Sequence, residues 1–142
     1  MDTASILGLL RTRIEALAPS TQCGADDVFR CHVGTNTAPG RRHMLIEATA
    51  GRRVLRGGQT CNDWETTIEI SATYPETRTE TGTDTVLQTA IEDAEDILAD
   101  LYTWSTTTTG ILRMDPDLGI ATDEGDGSLV VARTIGLTFE RS

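Results

Sequence analysis

Residues 64–74 run Trp64-Glu65-Thr66-Thr67-Ile68-Glu69-Ile70-Ser71-Ala72-Thr73-Tyr74, and the reading of this stretch decides the fold. Trp64, Thr66, Ile68, Ile70, Ala72 and Tyr74 alternate with Glu65, Thr67, Glu69, Ser71 and Thr73, the period-two pattern of a strand with one buried and one wet face. Such a strand belongs to a sheet covered on one side, so the flanking sequence is read for the elements that pair with it and cover it.

Downstream, Pro75 to Gly82 reads as a polar connector, and Thr83 or Asp84 is a plausible N-cap for a helix running through Leu101. Leu87, Ala90, Ile91, Ala94, Ile97, Leu98 and Leu101 form its apolar stripe, while Glu92, Asp93, Glu95, Asp96 and Asp100 crowd the opposite face. The helix is expected to lie on the sheet with its acids outward. Ile111–Met114, an Asp115-Pro116-Asp117 turn, Gly119–Thr122, a Gly125-Asp126-Gly127 turn and Ser128–Glu140 then read as a β-meander. In its last strand Leu129, Val131, Ile135, Leu137 and Phe139 share a face, interrupted by Arg133.

Upstream, residues 3–17 read as a helix with Ile6, Leu7, Leu10, Ile14 and Leu17 on one stripe, stopped by Pro19. Val28–Val33 and Arg42–Ala50 read as strands, and Gly51 to Gly58 as a flexible basic arm carrying Arg52, Arg53 and Arg56. The expected architecture is α+β, a single domain over residues 1–142. It is a mostly antiparallel sheet with two helices packed on it, in the order α-β-β-β-α-β-β-β.

At 142 residues the chain is long enough to bury about two-thirds of its unfolded surface without disulfides or metal. Cys23, Cys31 and Cys61, an odd number, fit reduced thiols better than a disulfide framework. The apolar run Ile6–Leu10 is too short for a signal-peptide core and nothing approaches a membrane span, so a cytoplasmic protein with no membrane partner is expected. The formal net charge of −10 argues against general nucleic-acid affinity.

That charge is divided unevenly. Residues 1–60 carry eight Arg against five acids, and residues 61–142 carry four Arg against seventeen acids. Between copies of one chain, opposite halves favour head-to-tail association, which closes rings or builds stacks. The candidate contact residues are Arg41, Arg42, Arg52, Arg53 and Arg56 on one side and Glu92, Asp93, Glu95, Asp96 and Asp100 on the other. The arginines could also meet phosphates, but with no interleaved aromatics they specify neither base stacking nor sequence readout.

Other constellations carry less. Cys23, Cys31, His32, His43 and Cys61 are ligand types within forty positions, yet they contain no C-x-x-C or H-x-x-x-H pair, and Cys31 shares a strand face with Phe29 and Val33. Asp115, Asp117, Asp123, Glu124 and Asp126 lack the spacing of a calcium loop and read as solvated turns. Neither a nucleophile elbow nor a phosphate-binding loop occurs in the sequence. No catalytic residue, metal or cofactor is expected.

The Ser5–Leu17 helix with its Leu-Arg-Thr-Arg-Ile-Glu-Ala-Leu run, the Trp64–Tyr74 strand, the Ile91–Tyr102 helix Ile-Glu-Asp-Ala-Glu-Asp-Ile-Leu-Ala-Asp-Leu-Tyr and the closing strand Leu129–Phe139 together resemble the tail-terminator (tail-completion) proteins of long-tailed bacteriophages and related tail-like particles. The resemblance covers most of the chain at the level of fold. It implies a small α+β protein that assembles as a ring, commonly hexameric, at the head-proximal end of the tail tube. Such a ring stops tube polymerisation and presents a joining surface to the head. The implied partners are further copies of the chain, the tail-tube protein and a head-completion or adaptor protein of the neck. The implied location is the virion, after assembly in the host cytoplasm. Other neck proteins, head–tail adaptors and minor tail proteins share this general form, and a small Cys/His metal-binding domain is the alternative from another class.

Overall fold

The computed structural model describes residues 1–20, 28–33, 42–56, 59–75, 82–125 and 128–141. Two helices and six strands follow in the order α1 (Thr3–Ala16), β1 (Arg30–Val33), β2 (His43–Ala48), β3 (Arg52–Arg56), β4 (Gln59–Pro75), α2 (Gly82–Thr107), β5 (Ile111–Gly125) and β6 (Ser128–Glu140). All six strands form one sheet of order β1-β2-β4-β6-β5, with β3 added beside β4. Only β1 and β2 run parallel; every other pair is antiparallel. The fold is the α+β arrangement that the sequence indicates.

The stretch that opened the sequence reading is the centre of the sheet. β4 is 17 residues long. One of its edges pairs with β6 along nearly its whole length, from Asp63↔Glu140 to Pro75↔Ser128. Its other edge is shared. β2 takes the later half, from Ala48↔Ile68 to Met44↔Ala72, and β3 takes the earlier half, from Arg52↔Glu65 to Arg56↔Gln59. Thr49 holds the chain to β4 between them, its N–H donating to the Thr67 carbonyl at 2.9 Å and its carbonyl accepting from Thr66 Oγ1 at 2.7 Å.

Both helices cover one face of this sheet. Ile6, Leu10 and Ile14 of α1 and Ala90, Ile97, Leu101 and Trp104 of α2 join Met44, Ile46, Ile68, Ile70, Val131, Ile135, Leu137 and Phe139 in one core. The alternate strand positions, among them Leu45, Ser71, Thr73, Ala132, Thr134 and Thr138, stay half-exposed on the other face. Period two in the strands and 3.6 in the helices thus meet at a single apolar layer. Asp2 starts α1, its carboxylate accepting from the Ser5 N–H at 2.7 Å, a bond that holds the Asp2 carboxyl below its ordinary range. After α2, Gly110 adopts φ of 96°, a left-handed conformation that suits glycine, and the chain turns into β5.

Three local assignments change. The expected flexible arm is a strand, since Arg52–Arg56 pairs with the start of β4. Residues 111–125 form one strand rather than two around a turn, with register shifts between Ile111 and Arg113 and between Asp115 and Gly119 where the extra residues are absorbed. The buried stripe of α2 is also rotated. Ala90, Asp93, Ile97, Leu101 and Trp104 face the sheet at spacings of three and four, whereas Ile91 is 40% exposed.

Candidate functional site

Two of the expected interface residues are inside the molecule. Arg42 and Asp93 are both 0% exposed, and they form a bidentate pair, Nε to Oδ2 at 2.9 Å and Nη2 to Oδ1 at 3.1 Å. Tyr74 Oη also donates to Asp93 Oδ2 at 2.7 Å, and the Arg42 guanidinium lies 5.7 Å from the Phe29 ring centroid. This network ties the entrance of β2 and the end of β4 to α2. Arg42 has φ of 61°, an uncommon conformation for a residue with a side chain, and the paired guanidinium holds it there. Arg42 and Asp93 are therefore removed from the contact surface, because a charge this deep needs its partner within the chain.

The other basic candidates divide. Arg52 is exposed and pairs across strands with Glu65. Arg53 is exposed, with its guanidinium 5.7 Å from the Trp64 ring centroid. Arg141, which the sequence reading did not single out, lies 4.4 Å from the same ring. It is brought there as β4 and β6 run side by side past Asp63↔Glu140, where the Arg141 N–H donates to the Asn62 carbonyl at 3.2 Å. Arg56 is placed on β3, and Arg41 lies outside the described residues. A signal for the pairing was present in the sequence, since Gly-Gly between two strand-forming runs is a hairpin signal, and Arg53 stands across from Trp64.

On α2, Glu92 and Glu95 are exposed, one turn apart. Asp96 accepts from the Ser20 N–H at 3.3 Å. Asp100 takes both forks of Arg13, Nε at 2.7 Å and Nη2 at 2.8 Å, and these hydrogen bonds raise the Arg13 pKa. The outward acid row thus keeps Glu92 and Glu95 at its centre, with Asp96 and Asp100 turned to α1. Arg52, Arg53 and Arg141 gather at the β3 end of the sheet around Trp64, interleaved with Asp63, Glu65 and Glu140.

The ligand-type residues separate as well. His32 and His43 stand on neighbouring strands with Nε2 and Nδ1 3.0 Å apart and ring planes 14° from parallel. Their centroids are 5.2 Å apart, longer than the N···N distance by about two ring radii, so the rings meet end to end through a hydrogen bond. Cys31 points the other way, into the core, where burial pushes its thiol up to about 12. Cys23 lies outside the described residues, as does the side chain of Cys61. Among the described residues, no three His, Cys, Asp or Glu side chains converge on one point. Asp115 pairs with Arg113 at 2.8 Å, and the side chains of Asp117, Asp123 and Glu124, with all of Asp126, lie outside the description.

A cavity of about 20 Å³ lies between α2 and the sheet, lined by Met44, Ile70, Ala94, Ile97, Leu98 and Arg133. It has room for about one water. Larger concavities, of about 340–680 Å³, open at the surface, one of them on the helix-free face beside Thr49, Arg52, Glu65, Thr67 and Thr138. No helix of the described residues is long and apolar enough to cross a membrane. No protein-family model matches the chain and no curated protein matches it in sequence.

Proposed function

We propose that this chain is a structural protein of a long-tailed bacteriophage or related tail-like particle: a tail terminator that closes the head-proximal end of the tail tube as a ring, of six copies by the family resemblance. The observation that carries the reading is the one-sided cover of the sheet. Its helix-free face, built from half-exposed residues such as Leu45, Ser71, Thr73, Thr134 and Thr138, is broad, and its concavity of about 440 Å³ beside Arg52, Glu65, Thr67 and Thr138 is open to solvent. A broad, half-exposed face of that kind is suited to another protein surface. Exposed arginines at the β3 end and exposed carboxylates on α2 lie on different surfaces of the chain, which is compatible with head-to-tail packing around an axis. The same features would serve a head–tail adaptor or minor tail protein, and the position in the neck is what the test decides.

Purified protein mixed with tail-tube subunits is expected to give tubes of fixed end structure, each with a ring at one end in electron micrographs. Tubes that keep elongating with bare ends would remove the terminator role.

A further inference from the structure

We infer that two apolar strips at opposite edges of the sheet, one carried by Ile91, Leu98 and Tyr102 of α2 and the other by Val28 and Val33 along β1, are the two halves of one contact between copies of this chain, with Glu95 of one copy meeting Arg30 of the next. The inference rests on the ring-forming reading above and names its contact.

The first half lies on α2. Ile91, Leu98 and Tyr102 stand at i, i+7 and i+11, so they share one flank of the helix, with Glu95 between them. Asp96 and Asp100 are bonded to Ser20 and Arg13, which puts α1 against the opposite flank. α1 packs on β1 and β2 and α2 on β5 and β6, so the apolar flank looks towards the β5 edge of the sheet. Ile91 and Tyr102 are exposed there, as is Leu112 at the start of β5 itself. The second half is the far edge of the same sheet. β1 is the edge strand opposite β5, and Val28 just before it and Val33 at its end are both about half exposed. Among the described residues, Leu9 is the one exposed large apolar side chain away from these two edges. Single exposed apolar residues need no partner, but strips gathered at both lateral edges of one sheet mark surfaces that another protein covers.

Charge complementarity makes the covering surface a second copy. Each strip holds one exposed charge with no ion pair among the described residues, the carboxylate of Glu95 on α2 and the guanidinium of Arg30 on β1. In the strand pairing Arg30 stands beside His43, not beside an acid. The two edges therefore match in kind, apolar side chains around a single charge, and differ in its sign. Every copy brings both halves. Two β1 edges would set Arg30 against Arg30, and two α2 flanks would set Glu95 against Glu95, which disfavours the symmetric dimers that would compete. The contact is heterologous and runs in one direction from copy to copy, as a closed ring demands.

The test is sedimentation of the protein alone over a rising concentration series. Wild-type protein is expected to self-associate. Tyr102→Asp and, separately, Val28→Asp should each weaken association by about tenfold or more while melting as wild type, since both side chains are exposed in the single chain. Glu95→Arg and Arg30→Glu should each weaken it by about fivefold, the scale of an exposed ion pair. The two reversals combined in one chain should restore wild-type association, because the exchanged charges oppose one another again. Wild-type protein that stays monomeric, apolar variants that associate like wild type, or a double reversal no better than the single ones would overturn the contact. Tube capping separates this from the reading it rests on. Self-association as expected with bare tube ends would leave the contact standing and remove only the terminator role, whereas tubes capped as well by Tyr102→Asp as by wild type would keep that role and overturn the contact.

Discussion

Arg42 and Asp93, 51 positions apart, are joined fork to carboxylate with both side chains closed to solvent. A pair at this depth is weak evidence of net stabilisation, since the Coulomb attraction is set against the desolvation of both ions. Breaking it is another matter. Asp93→Asn leaves the guanidinium buried beside a neutral amide in place of its carboxylate and is expected to cost about 3–5 kcal/mol, measured by urea unfolding. Arg42→Met combined with Asp93→Leu removes both charges and should cost less than Asp93→Asn alone, the remaining loss coming from the hydrogen bond that Tyr74 Oη donates to Asp93. A double variant less stable than the single one would show that the pair itself contributes net stability.

The rotated stripe of α2 gives opposite expectations for neighbouring isoleucines. Ile91 is 40% exposed, so Ile91→Asp should change stability by no more than about 0.5 kcal/mol. Ile97 is 3% exposed against the sheet, and Ile97→Ala should cost about 2–5 kcal/mol. Ile97→Asp should abolish soluble folding. Denaturant curves for the Ile91→Asp and Ile97→Ala pair decide between this orientation and the one in which Ile91 faces the core.

The same helix shows what can be read from a sequence and what cannot. The alternation in Trp64–Tyr74 was legible because each residue type agrees with its side of the sheet, and β4 lies where the pattern puts it. Asp93 was assigned to the wet face because acids are exposed by default. Yet it stands three residues after Ala90 and four before Ile97, in the middle of the stripe that Leu101 and Trp104 continue, and an acid there signals a buried partner. No local pattern names Arg42 as that partner, because the contact is made by the sheet bringing distant segments together. Arg141 was missed for the same reason, since its place over Trp64 depends on the β4–β6 register. Arg52–Arg56 was read as an arm because five residues with three arginines lack alternation, and its strand conformation comes from the free half-edge of β4.

The His32–His43 hydrogen bond ties β1 to β2 through side chains, Nε2 to Nδ1 at 3.0 Å, one nitrogen donating and the other accepting. His43→Phe keeps a ring there but can do neither, so amide protection over Cys31–Val33, corrected for intrinsic exchange, should drop in the variant while the β4–β6 amides keep theirs. Equal protection over Cys31–Val33 in both proteins would show that the side-chain bond adds nothing to the backbone pairing.

The chain contains no lysine, which leaves the alkaline range unusually open to the behaviour of one thiol. Burial, with a smaller push from Glu15 partly opposed by Arg11, raises Cys31 to about 12. In the unfolded chain a cysteine titrates near about 8.5. Between these values the unfolded state has released a proton that the folded state keeps, so it binds fewer protons and stability falls as pH rises. The contribution is fully present below the unfolded value and declines towards the folded one. Urea unfolding at increasing pH above 9 should therefore show wild type losing stability faster than Cys31→Val, by up to about 1.4 kcal/mol per pH unit. The comparison cancels every other ionisable group, since these are the same in both proteins. Parallel curves would mean that the Cys31 thiol ionises as readily in the folded chain as in the unfolded one, and that the β1 face behind His32 is open to water.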